Sequence, residues 1–213
     1  MTADRIFPPR EAGNSALAEQ WRIRLPQQPP DLTEHDDCDS AQRTDGLDGV
    51  KAAVLLPVIA RGEPMLLFTR RTEILARHSG QVSFPGGRCE TDDPTPAQTA
   101  LRETFEETGI APSFVTVAGY LDRYLTGTGF DIQPVVGVLA EGYALRPDPR
   151  EVAEIFEVPL DFLRDPANCR RESRQIAGRT RRFYAFSYGP HEIWGATAAI
   201  VVGLVRRLNA AGV

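Results

Sequence analysis

The sequence predicts an α/β fold, a sandwich in which a mixed β-sheet lies between helices. Two observations support this prediction. Apolar runs of strand length recur along the chain, and amphipathic helical patterns lie between them and after them. This order of strands, one helix, strands and a final helix is typical of helices packed on the faces of a sheet. The 213 residues, 42% of them hydrophobic, are enough for one substantial core.

The N-terminal part of the chain differs from the rest. We predict an N-terminal extension over residues 1–48 and the main domain over residues 49–213. Within the extension, apolar side chains at every fourth position predict a short helix over residues 14–25. Prolines follow this helix, and residues 31–48 are polar and acidic, which is typical of a linker.

The main domain begins with strands. Residues 52–59 are an unbroken apolar run, and a turn at 61–64 leads to a second strand at 65–69. A short strand at 81–83 precedes a Phe-Pro-Gly-Gly turn. Later patterns predict strands at 115–122, 133–139 and 181–188, and helices at 156–164 and 197–208. Pro159 is expected to mark the entry to the first of these helices.

The central helix is marked at both ends. Thr95 is a good N-cap, Pro96 suits the first helical position, and Gln98 completes a capping box. Gly109 supplies the left-handed residue that ends a helix. We therefore predict a helix over residues 96–108.

Three glutamates in this helix are a poor choice for folding alone. Glu103, Glu106 and Glu107 fall on its flank and back, whereas Leu101 and Phe105 belong to its predicted buried face. Like charges at this spacing repel by about 0.2–0.5 kcal/mol per pair, and carboxylates in the last turn face the negative end of the helix dipole. A solvated acidic face is the plain structural interpretation. A bound hard cation such as Mg²⁺ would instead explain the cost.

The loop before the helix adds further oxygen donors. Gly86 and Gly87 let the backbone turn sharply and approach a ligand closely. Glu90, Asp92 and Asp93 follow them. An ordinary turn would explain Pro-Gly-Gly alone. Its combination with an acidic loop and Arg-Glu-x-x-Glu-Glu-x-Gly on a capped helix favours a metal site.

This arrangement resembles the Nudix hydrolase signature, G-x5-E-x7-R-E-U-x-E-E-x-G-U, where U is apolar. The matching positions are Gly87, Arg102, Glu103, Phe105, Glu106, Glu107, Gly109 and Ile110. The interval from Gly87 to Arg102 is one residue longer than in the general pattern, and Asp93 stands where the first Glu would be. Such a lengthened box resembles the coenzyme A pyrophosphatase branch of the family. Glu90, Asp92 or Asp93 could provide the first acid.

An upstream segment resembles a second motif of that branch, L-L-T-x-R-S-x3-R-x3-G-x3-F-P-G-G. Residues 67–72 read Leu-Phe-Thr-Arg-Arg-Thr, and Gly80 and residues 84–87 supply the later positions. Ala76 occupies the place of the second arginine. The whole resemblance extends over residues 49–207.

The resemblance implies a Nudix-type sandwich that hydrolyses a pyrophosphate bond with Mg²⁺ or Mn²⁺ as cofactor. The implied metal ligands are Gly87, Glu103, Glu106 and Glu107. The implied catalytic residues are Glu106, which could also act on the water, Arg102, which would pair with an acid and hold the carboxylates, and Glu154 as a later general base. Glu151 and Glu157 are alternative bases, and a solvated helix face is the alternative for Glu154 and Glu157.

The implied substrate is coenzyme A or an acyl derivative, cleaved to phosphopantetheine and adenosine 3′,5′-bisphosphate. Arg70 and Arg71, with Arg77, are the cationic candidates for binding it, and Phe84, Phe130 and Trp194 could stack on adenine or pack in the core. A Nudix hydrolase for ADP-ribose or NADH is the alternative, which Ala76 supports. A non-catalytic Nudix-fold binding module ranks last, because the acids of the box are present.

Charge and cysteine content bound the remaining possibilities. The net charge of −5 gives no support for broad nucleic-acid or membrane-surface binding. The resemblance implies a small-molecule nucleotide as the partner. Cys38, Cys89 and Cys169 lack zinc spacing and cannot all pair, which favours a reducing cytoplasm. We expect neither a signal peptide nor a membrane span. Whether the chain forms a homodimer is left open.

Overall fold

The structure is a computed structural model. It describes residues 12–30, 49–73, 80–176 and 179–210. The predicted acidic linker lies outside the described residues, as do Ala76 and Arg77.

Two sheets and four α-helices make up the described part of the chain. The larger sheet contains β1 (Val50–Ala60), β2 (Pro64–Arg71), β3 (Val82–Ser83), β4 (Gly86–Arg88), β5 (Val115–Tyr120), β6 (Tyr124–Leu125), β7 (Phe130–Leu139) and β8 (Val152–Pro159). The smaller sheet contains β9 (Arg170–Ile176), β10 (Arg179–Tyr188) and β11 (His191–Trp194). The helices are α1 (Ala12–Arg22), α2 (Pro96–Thr108), α3 (Leu160–Arg164) and α4 (Gly195–Ala210).

The larger sheet is mixed, as predicted. Strands β1 and β7 run parallel at its centre, and β2 pairs antiparallel with β1. The main strand order is β3-β2-β1-β7-β5, with β8 paired to β2 and β6 to β7. The short β4 also pairs with β1, in a register that sets Gly87 opposite Ala53. The glycine turn is thereby fixed to the middle of the sheet.

Alternation along β1 builds the two cores of the sandwich. Leu55 and Ile59 pack with residues of α2 on one face. Leu56 and Val58 pack with residues of α1, α3 and α4 on the other. Because successive side chains of a strand point to opposite faces, the unbroken apolar run of β1 serves both layers. The predicted α/β sandwich is confirmed.

Helix α1 joins the same core as the sheet. Its Trp21 is 3% exposed, and the following Leu25 is 4% exposed. Arg22 Nη2 donates to the carbonyl of Val117 in β5 at 3.2 Å. The predicted helix is thus present, although it spans Ala12–Arg22. The division of the chain at residue 48 stays a prediction.

The helix predicted over residues 156–164 is wrong in its first half. Residues 156–159 belong to β8, which pairs with β2 from Met65 opposite Pro159 to Arg70 opposite Glu154. Hydrogen bonding to a neighbouring strand outweighs the local helical pattern there. The helix begins only at Leu160, directly after Pro159.

Several strands were not predicted. Strand β9 reads Arg-Arg-Glu-Ser-Arg-Gln-Ile and lacks the alternation of apolar and polar residues that marks a half-buried strand. Strand β11 and the short β4 and β6 have four residues or fewer. Such elements depend on their partners, so their own sequence carries little signal.

The caps of α2 are confirmed, and its buried face is confirmed at Ala100, Thr104 and Thr108 but wrong at Phe105. Thr95 Oγ1 accepts from the N–H of Gln98 at 3.3 Å, and Gly109 adopts a left-handed φ of 78°. Phe105, predicted to be buried, is 52% exposed, whereas Glu107 is only 4% exposed. The helix therefore turns one of its glutamates toward the protein interior.

Two further sequence expectations concern compartment and membrane. Cys89 and Cys169 are free thiols, and Cys38 lies outside the described residues. No helix in the described ranges has the length and apolar composition that crossing a membrane requires. The cytoplasmic location stays a prediction.

Candidate active site

A cleft of about 820 Å³ lies beside the glycine turn. Its walls include Arg71 of β2, Gly87 of β4, Glu103 of α2 and Trp194 of β11. The volume falls within the range of about 300–1,000 Å³ that small-molecule sites occupy. Elements from both sheets and from the central helix therefore meet around one cavity.

Gly87 brings the backbone of β4 against α2. A Cβ atom placed on Gly87 would lie 2.4 Å from Oε1 of Glu103, so a side chain there would displace this carboxylate from its position. The pairing of Gly87 with Ala53 fixes this backbone from the other side. Only glycine therefore lets the Glu103 carboxylate touch the turn.

Glu107 is a buried acid behind this contact. Burial raises its pKa to about 8; the carboxylates of Glu151 and Glu103 add to the rise, and the Arg71 guanidinium opposes it. Arg71 Nη1 lies 3.9 Å from Glu107 Oε1. Burial likewise raises the pKa of Glu103, against the effect of a hydrogen bond from Arg102. The site thus concentrates more negative charge than its cations balance.

Arg102 ties the loop and the helix together. Its Nη2 donates to Asp93 Oδ2 at 2.8 Å, and its Nη1 donates to Glu103 Oε1 at 3.0 Å and to Glu106 Oε2 at 3.2 Å. The hydrogen bond with Asp93 holds the Arg102 pKa well above its usual range. The predicted pairing of Arg102 with acids of the helix and loop is confirmed. Its catalytic role stays a prediction.

Asp93 is the loop acid that this network uses most. It accepts from Arg102, from Thr99 Oγ1 at 3.0 Å and from the N–H of Glu90 at 3.0 Å. The hydrogen bond from Arg102 is the main reason that the Asp93 pKa lies well below its usual range. Glu90 lies farther from the arginine, at 3.9 Å. Among the three loop acids, Asp93 therefore fits the first acidic position of the motif best.

The acids of α2 fit a hard divalent cation in their chemistry. Within the described residues, no three His, Cys, Asp or Glu side chains already converge as a metal site, and Arg102 bridges Glu103 and Glu106. The donors at this place are nevertheless all oxygen atoms, which Mg²⁺ and Mn²⁺ prefer. Burial is the main cause of the raised pKa of Glu107, and a cation bound there would favour its ionised form.

Arg70 and Arg71, predicted together as substrate ligands, are separated by the fold. They are neighbours in β2, so their side chains point to opposite faces. Arg71 lines the cleft, with its Nη2 3.7 Å from Glu151 Oε2. Arg70 Nε instead donates to Glu154 Oε2 at 3.1 Å. Neither Arg70 nor Glu154 lines the cleft among the residues that the structure describes.

Glu154 is further held by His191, whose Nε2 lies 3.4 Å from Glu154 Oε1. Glu151, one of the two alternative bases, lies instead at the cleft and raises the pKa of both Glu103 and Glu107. The structure thus brings Glu151, and not Glu154, to the acids of α2. The catalytic role predicted for Glu154 stays a prediction.

The aromatic candidates also differ in their positions. Phe84 reaches the cleft wall but is only 3% exposed and stacks on Phe68 at 4.7 Å between ring centroids. Phe130 and Trp194 are half-buried and line the same cleft. Of the two expectations for these rings, core packing describes Phe84, and stacking on adenine stays a prediction for the other two.

Two cleft arginines were missed by sequence reasoning. Arg88 lies over the ring of Phe130, with 5.5 Å between its Cζ and the ring centroid. Arg181 of β10 lines the cleft beside Gly127. Arg88 follows the glycine turn directly, which is a usable signal. Nothing local marks Arg181, because the pairing of distant strands brings it to the site.

Comparison with known proteins decides the family. Residues 49–177 match the family model described as the NUDIX domain. This chain belongs to the Nudix family. NudL of Photorhabdus laumondii, an uncharacterized Nudix hydrolase, is 36% identical over 195 residues, which cover 92% of this chain and 97% of NudL. NudL of Yersinia pestis, likewise uncharacterized, is 35% identical over 92% of this chain and 94% of its own length.

A solved Nudix hydrolase from Alicyclobacillus acidocaldarius is similar in fold. It shares 22% identity with this chain at a TM-score of 0.48, over 76% of this chain and 93% of its own. The family model and the NudL relatives confirm the predicted Nudix membership, and Glu103, Glu106 and Glu107 occupy the positions that match the glutamates of the Nudix signature. The likeness to coenzyme A pyrophosphatases stays a prediction, because the two NudL relatives are themselves uncharacterized.

Proposed function

We propose that this Nudix protein is a divalent-metal-dependent hydrolase of coenzyme A or acyl-coenzyme A. It splits the pyrophosphate bond and releases phosphopantetheine, or its acyl form, and adenosine 3′,5′-bisphosphate. The observation that carries the proposal is the position of Glu103 against the Gly87 backbone at the cleft, with buried Glu107 behind it beside Gly86 and Arg71. Buried acids of this kind fit a cation next to a polyphosphate.

The metal would be held by carboxylates of α2 and by the carbonyl of Gly87. The proposed ligands are Glu103, Glu106, Glu107 and Gly87. A bound Mg²⁺ or Mn²⁺ supplies neutralisation of phosphate charge and makes an attacking water more acidic. Arg102 keeps Glu103 and Glu106 in place through its hydrogen bonds and through its anchor on Asp93.

Arg71 is the proposed phosphate-binding arginine. It lines the cleft, and its buried Nε donates to no acceptor within the described residues. A buried donor without a partner costs about 1–3 kcal/mol, so a phosphate oxygen would relieve that cost. The Arg71 guanidinium also lies near Glu107 and Glu151, so a phosphate bound to Arg71 would lie close to these acids.

Glu151 is the proposed general base. It would accept the proton of the water that attacks one phosphorus, while the bridging P–O bond breaks and the other phosphate leaves. Glu106 is the second candidate, because it is exposed at the same network. Glu154 would first have to give up its contacts with Arg70 and His191.

A metal-dependent substrate panel tests the function. Purified protein is incubated with Mg²⁺ or Mn²⁺ and either coenzyme A, acetyl-coenzyme A, ADP-ribose or NADH, and products are identified by mass spectrometry. We expect coenzyme A and its acyl form to be split, and chelation by EDTA to stop the reaction. Consumption of ADP-ribose with coenzyme A left intact would reject the substrate. A panel with no product at all would favour a binding module.

Paired variants test the base. We expect Glu151→Gln to lower kcat by about 10²–10⁴-fold, the usual contribution of a positioned base, and to lower it more than Glu154→Gln does. Glu63→Gln changes an exposed carboxylate in the turn after β1 and is the control. A larger loss in Glu154→Gln would return the role to Glu154.

A further inference from the structure

The β9–β10 pair is rich in arginine, although the chain as a whole is acidic. Arg174 of β9 and Arg181 of β10 are directly opposite each other in the register. Side chains in such positions share one face of the sheet, and like charges there destabilise the pair. Trp194, which lines the cleft, extends this face on the next strand, because it pairs with Ala185. Two cations are therefore held together on a face that reaches the cleft.

Arg181 lies in the cleft against the loop between β6 and β7. A Cβ atom placed on Gly127 would lie 1.7 Å from Arg181 Nη1, so the guanidinium rests directly on the glycine backbone. The loop is fixed by its own hydrogen bonds: Thr126 N donates to the carbonyl of Phe130 at 2.8 Å, and Phe130 N donates to Thr126 Oγ1 at 2.9 Å. Gly127 thus provides the backbone surface on which this guanidinium rests.

No carboxylate in the part of the chain that the structure describes neutralises the charge of Arg181. Within the described ranges it forms no salt bridge, whereas Arg71 in the same cleft lies near Glu107 and Glu151. Arg174 cannot serve in the same way, because its Cζ lies 5.3 Å from the ring centroids of both Phe183 and Trp194. Arg174 adds positive potential, and Arg181 is the group that is available for contact.

We propose that Arg181, seated on Gly127, binds a second phosphate of the substrate, the one on the ribose of its nucleotide half. This inference rests on the proposed function, in which the pyrophosphate is served by the acids of α2 and Arg71. A phosphate monoester carries a charge of about −1.5 to −2, and the arginine fork matches its oxygens. Arg181 thereby distinguishes nucleotides that carry a ribose phosphate from those that lack it.

The experiment compares coenzyme A with dephospho-coenzyme A, which lacks only the ribose phosphate. We expect Arg181→Ala to lower kcat/KM for coenzyme A by about 10–100-fold, the range for a hydrogen bond to a charged group, mainly through KM. The same variant should hydrolyse dephospho-coenzyme A at a rate within about twofold of that of the wild-type enzyme. This substrate lacks the ribose phosphate, so it cannot form the hydrogen bond with Arg181 that the variant removes. Equal losses on both substrates would assign Arg181 to the pyrophosphate or to folding and overturn the proposal, as would no loss on either.

Two further variants sharpen this comparison. Gly127→Ala keeps the guanidinium but pushes it off its place, so it should lower activity on coenzyme A selectively and by less than Arg181→Ala. Arg182→Ala removes the exposed neighbouring arginine, which points to the other face of β10, and should leave both substrates unaffected. A selective loss in Arg182→Ala would show that only overall charge matters.

A binding measurement separates this proposal from the function on which it rests. Calorimetry without catalysis compares adenosine 3′,5′-bisphosphate with adenosine 5′-monophosphate. We expect wild type to prefer the bisphosphate and Arg181→Ala to lose that preference. If neither form of coenzyme A is hydrolysed, the proposed function fails. The calorimetry still shows whether Arg181 binds the ribose phosphate. Equal affinities of wild type for the two nucleotides would refute the phosphate site.

Discussion

At the scale of single residues, the buried carboxylate of Glu107 is a costly feature of this protein. It is 4% exposed, and burial is the main reason that its pKa rises to about 8. Leu101 and Phe105 offered an apolar face for burial, but Phe105 is 52% exposed while Glu107 faces inward. A helix that buries an acid and exposes a phenylalanine is shaped by a need other than stability.

Glu107→Gln should separate stability from activity. At pH 7 the metal-free carboxyl is largely protonated, because its pKa is about 8, so glutamine replaces it with little change. We expect an unfolding midpoint in EDTA close to that of wild type. Activity should fall by more than about 100-fold, since even groups behind metal ligands contribute 10–100-fold. Full activity in this variant would contradict the metal assignment.

The raised pKa of Glu107 also predicts a pH dependence. For a group whose pKa is raised on folding, the stability contribution is present below the unfolded pKa and is lost as pH rises through the folded value. That window runs from 4.5 to about 8 for Glu107. Metal-free protein should therefore lose stability as pH rises from 6 to 9. The stabilisation by saturating Mg²⁺ should grow over the same range.

Differential scanning fluorimetry with Mg²⁺ and with EDTA measures this dependence. Glu107→Gln is the matched control, because it removes the titrating group. In this variant the difference between the melting temperatures with Mg²⁺ and with EDTA should depend less on pH. A stabilisation by Mg²⁺ that is equal at pH 6 and pH 9 in wild type would contradict the role of Glu107.

At the scale of elements, the end of α2 depends on the left-handed Gly109. A Cβ atom there would lie 2.9 Å from Cβ of Arg146, and the φ of 78° disfavours side chains. We expect Gly109→Ala to lower the free energy of unfolding by about 1–2 kcal/mol. Gly203→Ala, within α4 where a Cβ atom meets nothing within 4 Å, should raise it by about 0.5–1 kcal/mol. Urea unfolding measures both changes. If both variants changed the free energy of unfolding in the same direction, the role of Gly109 as the cap of α2 would be contradicted.

Elements with strong local signals were predictable from the sequence. Helix α2 has both caps and a defined start, so its bounds were predicted closely, and the apolar run of β1 marked the central strand. The local pattern of β8 predicts a helix for its last four residues, because the strand pairs with β2, a segment far away in the chain. Strand β9, rich in charge, gave no strand pattern at all. Pairing between distant segments decided these elements.

The same distinction applies to the site. The acids of the Nudix box were predictable because they are close in sequence, and the pairing of Arg102 with them followed from that. The sequence could not predict that Arg71 lines the cleft while Arg70 does not, because this depends on which face of β2 meets the cleft. Arg181 lies at the cleft because β10 belongs to the second sheet, which packs beside it. No local sequence motif could therefore predict this position.

At the scale of the whole molecule, α1 closes the core on the face of the sheet opposite α2. Trp21 is 3% exposed within this core, whereas Ile23 at the end of the helix is 85% exposed. We expect Trp21→Ala to cost about 3–5 kcal/mol of unfolding free energy, and Ile23→Ala to stay within about 0.5 kcal/mol of wild type. Chemical denaturation measures both. Equal small effects would mean that α1 contributes little to the fold.

The central claim is that the acids of α2 hold a divalent cation beside the 5′-phosphate of a bound nucleotide, which is the phosphate that the pyrophosphate bond joins in the substrate. Anomalous scattering from crystals soaked with Mn²⁺ and adenosine 3′,5′-bisphosphate tests it most directly. We predict a manganese peak within coordination distance of carboxylate oxygens of Glu103 and Glu107. A map that shows the nucleotide in the cleft at full occupancy, without a manganese peak at these two glutamates, would contradict the claim.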